Sequence, residues 1–238
     1  MNNQAVFQRY EMKYLITEAQ YARLKERICR YMIDDRYGQS SICNLYFDTP
    51  SFLLIRRSIE RPVYKEKLRL RSYGVAVPDS TVFIEMKKKY RSVVYKRRIN
   101  TTEQEAMRYL CGGKQLADTQ ITHELDYFLG QYGFPRPTVF LSYERQAFFA
   151  KDDSDFRITF DKNILWRNYD LSLCAGIYGQ PILHNGQILM EIKTAKAIPL
   201  WMTALLSENH IFKTSFSKYG NAYKTIFSAE QKGERYNA

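Results

Sequence analysis

The chain has 238 residues, 45% of them hydrophobic and 15% aromatic, including 19 Tyr. That is too much apolar surface for a disordered chain, and no run nears the roughly 18 apolar residues of a membrane span, so a globular protein without direct membrane insertion is expected. Its formal charge of +11 implies an anionic partner: nucleic acid, an acidic membrane surface or a phosphate-rich small molecule.

The opening MNNQAVFQRYEMK has no basic stretch followed by an apolar core, so no secretory signal is read and a cytoplasmic location is expected. A strand is predicted from Phe7 to Ile16. Thr17 to Gln20 forms a capping box, and Tyr21, Leu24, Ile28 and Met32 recur at helical spacing, which predicts a helix over about 18–32. Strands follow at Ser41–Phe47, Tyr64–Tyr73, Thr81–Tyr90 and Ser92–Ile99. Thr102 to Glu105 opens a second helix that Gly112-Gly113 should close, and a third runs over Ile121–Tyr132 with Gly133 as its stop. Strands are predicted again at Thr138–Phe149, Phe156–Phe160 and Gln187–Thr194, and helices at Pro199–Glu208 and Tyr219–Ser228. GVAVPDS (74–80) and HNG (184–186) have the composition of hairpin connections. Strands outnumber helices and do not alternate with them, which indicates a mainly antiparallel α+β fold in one domain.

Cys29, Cys43, Cys111 and Cys174 are scattered, with neither zinc-ligand nor disulfide-framework spacing, and are expected to be buried thiols. His123, His184 and His210 fall in helix, turn and helix-end contexts and read as structural or surface residues. CGGK (111–114) lacks the pattern of a phosphate-binding P-loop.

Strand alternation sorts the charges. Glu11 and Lys13 share a face; so do Lys65, Lys67, Arg69 and Arg71, opposite Glu66, Leu68 and Leu70. In FIEMKKKY, Glu85, Lys87 and Lys89 oppose Ile84 and Met86, and Lys96 and Arg98 share a side of the next strand. Arg145, Arg157, Glu191 and Lys193 follow in later strands. An ordinary solvated face mixes Ser, Thr, Gln, Glu and Lys, whereas these faces repeat Arg and Lys with one acid at a time. About eight such strands can close on themselves with charge inward, giving a closed eight-stranded antiparallel β-barrel with its helices packed outside. A cationic lumen of this kind suits a polyphosphate, whose oxygens Arg grips in pairs and Lys meets as a point charge. Lys87 to Lys89 do not share one face, so they make a poor nucleic-acid patch, and nucleic acid is not expected as a partner.

From about Phe7 to Tyr223 the sequence resembles the triphosphate tunnel metalloenzyme superfamily, in particular the polyphosphate polymerase domain of the vacuolar transporter chaperone (VTC) family. The marks, in order, are RYEMKYLI, NLYFDTP, KLRLRSY, FIEMKKKY, YERQAF, FRITFD, LMEIKT and SKYGNAY. The resemblance implies phosphate binding by Lys13, Arg69, Arg71, Lys87, Lys96, Arg145, Arg157, Lys193 and Lys218. Catalytic charge neutralisation would fall to Lys13, Arg69, Arg71, Lys87, Arg145 and Arg157. Glu191, with Glu11, would hold Mn²⁺ or Mg²⁺. It further implies ATP and inorganic polyphosphate as ligands, and a membrane-protein partner.

Hydrolytic members of the superfamily resemble E-x-E-x-K at the first strand, where this chain reads Arg9-Tyr10-Glu11-Met12-Lys13. One carboxylate fewer holds metal less firmly and positions an attacking water less well. The expectation is therefore a polyphosphate polymerase that moves the terminal phosphoryl of ATP onto a growing chain. A triphosphatase acting on tripolyphosphate or a nucleoside triphosphate, and a non-catalytic module for polyphosphate or inositol polyphosphate, are the alternatives.

Overall fold

The computed structural model describes residues 6–7, 10–60, 62–91, 93–153 and 155–231. Arg9, Ser92 and the first five residues, which entered the sequence reading, lie outside them. The strands are β1 (Val6–Phe7), β2 (Tyr10–Thr17), β3 (Met32–Asp48), β4 (Tyr64–Tyr73), β5 (Thr81–Tyr90), β6 (Val93–Thr102), β7 (Arg136–Ala150), β8 (Arg157–Arg167), β9 (Gln180–Pro181), β10 (Gln187–Thr194) and β11 (Lys213–Thr214). The helices are α1 (Glu18–Ile28), α2 (Leu53–Ile59), α3 (Glu103–Gly112), α4 (Gln120–Gln131), α5 (Leu200–Glu208) and α6 (Lys218–Gln231). No helix among the described residues is long and apolar enough to cross a membrane.

All strands join one antiparallel sheet in the order β1-β6-β5-β4-β3-β7-β8-β10-β2-β11, with β9 beside β8. The expected closed eight-stranded barrel is not formed: the sheet has eleven strands and its hydrogen-bonded path stays open. β1 pairs with β6 while β2 pairs with β10 and β11, so no ladder among the described residues joins β2 to β6. Three of the eleven strands are only two residues long. The curled sheet meets itself through side chains instead, with Lys87 of β5 lying 3.4 Å from Glu11 of β2.

That contact identifies the concave face, because β5 and β2 are far apart in strand order. On the convex face, Leu68, Leu70, Ile84 and Met86 are covered by α3 and α4. Ile16, Ile158, Ile188 and Ile192 are covered by α1 and α5. The helices are not all outside, however. Tyr219, Ala222 and Ile226 of α6 pack on Ile42, Tyr46, Val139, Leu141 and Tyr143, which lie on the face opposite Cys43, Leu45, Phe47 and Phe140. α6 therefore fills part of the concavity, and α2 adds Ile55 to the same cluster.

Local chemistry explains most element ends. Thr17 and Gln20 make the reciprocal capping box of α1, Thr102 caps α3, and α3 stops at Gly113 with φ +69°. α1 ends at Ile28 and Met32 already belongs to β3, so the predicted helix was too long. Pro199 precedes α5 as its cap residue rather than occupying its first turn. His184–Gly186 is not a hairpin, since β9 and β10 both run antiparallel to β8 and the turn separates them. α2 was not anticipated. Its start is organised by buried Asp48, whose carboxylate accepts N–H bonds from Thr49 (2.8 Å), Leu54 (2.8 Å) and Ile55 (3.0 Å) and the Tyr219 hydroxyl (2.9 Å). The four cysteines are free thiols, but only Cys43 is buried; Cys29, Cys111 and Cys174 are exposed.

Leu68 and Leu70 are fully buried beneath α3 and α4. Leu68→Ala or Leu70→Ala should lower unfolding stability by about 2–5 kcal/mol, read by denaturant titration. A loss under about 0.5 kcal/mol would mean that this face is not the core.

Candidate anion-binding site

Cross-strand register assembles the charged residues on the concave face. Glu85 of β5 stands directly opposite Arg69 on β4 and Arg98 on β6. Arg69 donates to one Glu85 oxygen from Nε (2.9 Å) and Nη2 (2.7 Å), while Arg98 Nε (2.7 Å) and Lys96 Nζ (2.7 Å) meet the other. Arg71 Nη1 lies 3.7 Å away. Burial disfavours a charged Glu85, yet these four cations outweigh it and hold the carboxyl far below its ordinary range.

A second cluster lies across the concavity. Arg145 of β7 forks onto Asp161 of β8 through Nε (2.6 Å) and Nη2 (2.7 Å). Lys218, the first residue of α6, lies 2.5 Å from Asp161 and 3.3 Å from Glu191 of β10. Lys193, Lys13 and Arg145 also surround Glu191, at 3.5, 3.6 and 3.7 Å. Glu11 of β2 meets Lys13 at 3.3 Å and Lys87 at 3.4 Å. Burial opposes ionisation of Glu11, Asp161 and Glu191, but the bases prevail and hold all three low. Tyr143 bridges the clusters: its hydroxyl accepts from Arg71 Nη2 at 3.3 Å, and Lys218 lies 4.6 Å from its ring centroid. Against the cost of burial, Arg71, Arg145 and Lys218 draw its phenol down to about 8.

The start of α6 is built tightly into this site. Ser217 Oγ accepts from the Gly220 N–H at 3.1 Å, and a Cβ on Gly220 would come within 3.1 Å of Ser217 Cβ and Oγ. The positive end of the helix thus adds to the charge of Lys218, an arrangement that favours anions.

All nine expected phosphate-binding bases, with Glu11 and Glu191, fall on this one face. Arg157 lies opposite Lys193 with its guanidinium 4.6 Å from the Phe149 ring centroid. Strand alternation already sets Glu85, Lys67 and Arg98 among the charged faces, and Glu85 orients the bases beside it. Tyr143 and Asp161 carry no role in the sequence reading, although Asp161 shares the alternation of Arg157. The three histidines are all exposed.

Among the described residues no three His, Cys, Asp or Glu side chains are placed to hold a metal ion. Glu11 and Glu191 nevertheless converge on one cation, the Lys13 ammonium. Directly opposite Glu191 on β8, the buried Thr159 hydroxyl has no hydrogen-bond partner among the described residues. Two carboxylates and an orphaned hydroxyl fit Mg²⁺ or Mn²⁺ of the kind that keeps water and shares substrate phosphates, not one held in an all-protein cage.

A model of the VTC domain matches residues 8–227. The chain belongs to the VTC domain family. This VTC domain also has the fold of a candidate adenylate cyclase from Bacillus halodurans, at TM-score 0.55 and 13% identity over 90% of this chain and 96% of that one. A second candidate adenylate cyclase, from Vibrio parahaemolyticus, aligns at TM-score 0.50 and 15% identity over 95% of this chain and 100% of that one. A comparison with curated proteins found no match.

The depressed carboxyls set the acid stability of the VTC domain. Each contributes stability that is fully present above the ordinary carboxylate range, near 4.5 for Glu, and is lost as pH falls from there toward the lowered folded values. The thermal midpoint should therefore drop as pH falls below that range. Asp161→Asn, which leaves Arg145 and Lys218 only the more distant Glu191 carboxylate, should cost about 3 kcal/mol at pH 7. A midpoint unaffected by this change would remove Asp161 from the supports of the site.

Proposed function

We propose that this VTC domain is a divalent-metal-dependent polyphosphate polymerase. The observation that carries this reading is the charge imbalance on the concave face. Among the described residues, Lys13, Lys67, Arg69, Arg71, Lys87, Lys96, Arg98, Arg145, Arg157, Lys193 and Lys218 outnumber the carboxylates of that face, Glu11, Glu85, Asp161 and Glu191. A linear phosphate chain is the ligand that neutralises such a surface along its length.

In the reaction, a terminal phosphate oxygen of the polyphosphate chain attacks the γ-phosphorus of ATP. The bond from that phosphorus to the β–γ bridging oxygen breaks, and ADP leaves with the electron pair. The chain grows by one phosphate without a protein nucleophile, so the work is positioning and charge neutralisation. Arg69, Arg71 and Arg145 are pre-aimed by Glu85 and Asp161, which reduces the ordering needed when phosphate arrives. Lys218 and the α6 N-terminus face the same anion from one end of the concavity. Glu191 and Glu11 would hold Mn²⁺ or Mg²⁺, which supplies neutralisation of the charge on the transferring group.

Glu191→Gln tests the assignment. It removes one anion from among Lys13, Arg145, Lys193 and Lys218, so affinity for a non-hydrolysable ATP analogue should hold or improve. Turnover with Mn²⁺ should fall by about 10²-fold or more, with ADP, free phosphate and long polyphosphate resolved separately. Long polyphosphate from the wild type supports the polymerase; phosphate alone would make the domain a triphosphatase. Binding without turnover under any divalent metal would make it a polyphosphate- or inositol polyphosphate-binding module.

A further inference from the structure

One row of the concave face runs against the usual pairing logic of a sheet. Lys67 of β4 stands directly opposite Lys87 of β5, which stands directly opposite Lys96 of β6. Like charges in directly opposed positions are only about 4.5–5.5 Å apart at Cβ and destabilise the sheet. Two of the three are compensated. Lys87 reaches Glu11 and Lys96 reaches Glu85.

Lys67 is not compensated. Its Nζ lies 3.4 Å from Ser217 Oγ, and no carboxylate of the described residues lies within ion-pairing distance. The charges that weigh most on it are Lys87 of β5, Lys13 of β2, and Lys65 and Arg69 of its own strand, all positive. In the next row Lys65 stands opposite Lys89 and donates to the carbonyl of Ser58 at 3.2 Å. Burial and these cations together push the Lys67 ammonium down to about 7, which reports the same uncompensated position.

We propose that Lys67, with Ser217 and Lys87, forms an additional phosphate subsite that takes a further unit of an inorganic polyphosphate chain in preference to the nucleoside of ATP. This rests on the polyphosphate reading above and extends it to substrate class. The chemistry of the neighbours sets the choice. Around Lys67 stand a hydroxyl donor and ammonium or guanidinium groups, so the subsite rewards negative charge. A ribose and base would leave Lys67 uncompensated, whereas one more phosphate brings both charge and acceptor oxygens. The lysine row is then a cost carried by the free protein and relieved by the chain it holds.

Lys67→Met tests this by calorimetric titration with tetrapolyphosphate and with a β,γ-imido ATP analogue, alongside thermal melts of the free protein. Loss of one charge-assisted contact should weaken tetrapolyphosphate about tenfold or more and the ATP analogue less than about threefold. The free variant should melt no lower than the wild type, because repulsion has been removed. An equal loss for both ligands, no loss for either, or a destabilised free variant would each overturn the subsite. Wild-type protein that bound no polyphosphate would instead refute the underlying functional reading.

Discussion

Like-charge repulsion across adjacent strands is the constraint on which this structure turns. Placing bases at directly opposed positions on a curved sheet is unfavourable in the free protein, and the fold manages it in a specific way. The buried carboxylates of the charged face are each shared among several cations: Glu85 among Arg69, Arg71, Lys96 and Arg98, and Glu191 among Lys13, Arg145, Lys193 and Lys218. Shared in this way, the acids fix the bases in place without cancelling them. The surface remains net positive yet ordered, which is what a polyanion site requires.

The same constraint accounts for the two-layered surroundings. The convex side carries aliphatic cores beneath α1 and α5 and beneath α3 and α4. The concave side is divided, with an apolar part sealed by α6 and a charged part that the N-terminus of α6 overlooks. Asp48 ties these parts together by holding the start of α2 and the Tyr219 hydroxyl with one carboxylate. A motif that reads as a family mark, NLYFDTP, thus supports the site twice, through Asp48 and through Asn44 and Tyr46, which accept from Arg71 Nε (3.0 Å) and Arg69 Nη1 (3.1 Å).

Much of this was legible in the sequence because strand alternation has a period of two. Arg69 and Arg71 against Leu68 and Leu70, and Glu85 and Lys87 against Ile84 and Met86, could be assigned to opposite faces from the letters alone, and the register bears them out. The open edge was not legible. Whether β2 bonds to β6 is a matter of backbone pairing that no side-chain pattern encodes. The position of α6 was harder to read, since Tyr219, Ala222 and Ile226 define an apolar stripe but not the sheet face it meets. The available signal lay in β3 and β7, apolar on both faces: Ile42 and Tyr46 against Cys43 and Leu45, and Leu141 and Tyr143 against Phe140. Such strands must be covered twice. The uncompensated state of Lys67 was also out of reach, because it depends on which carboxylates its neighbours capture.

A polyphosphate site differs from a merely basic surface in its response to tripolyphosphate and to sulfate at equal ionic strength, read by thermal denaturation. At one hundred times the dissociation constant, binding to the folded state stabilises it by about 2.7 kcal/mol, or about 5–10 °C for a chain of this size. Tripolyphosphate should produce a shift of that order and sulfate a much smaller one. Equal shifts, or a tripolyphosphate shift below about 1 °C at saturation, would leave the concave face a basic surface only.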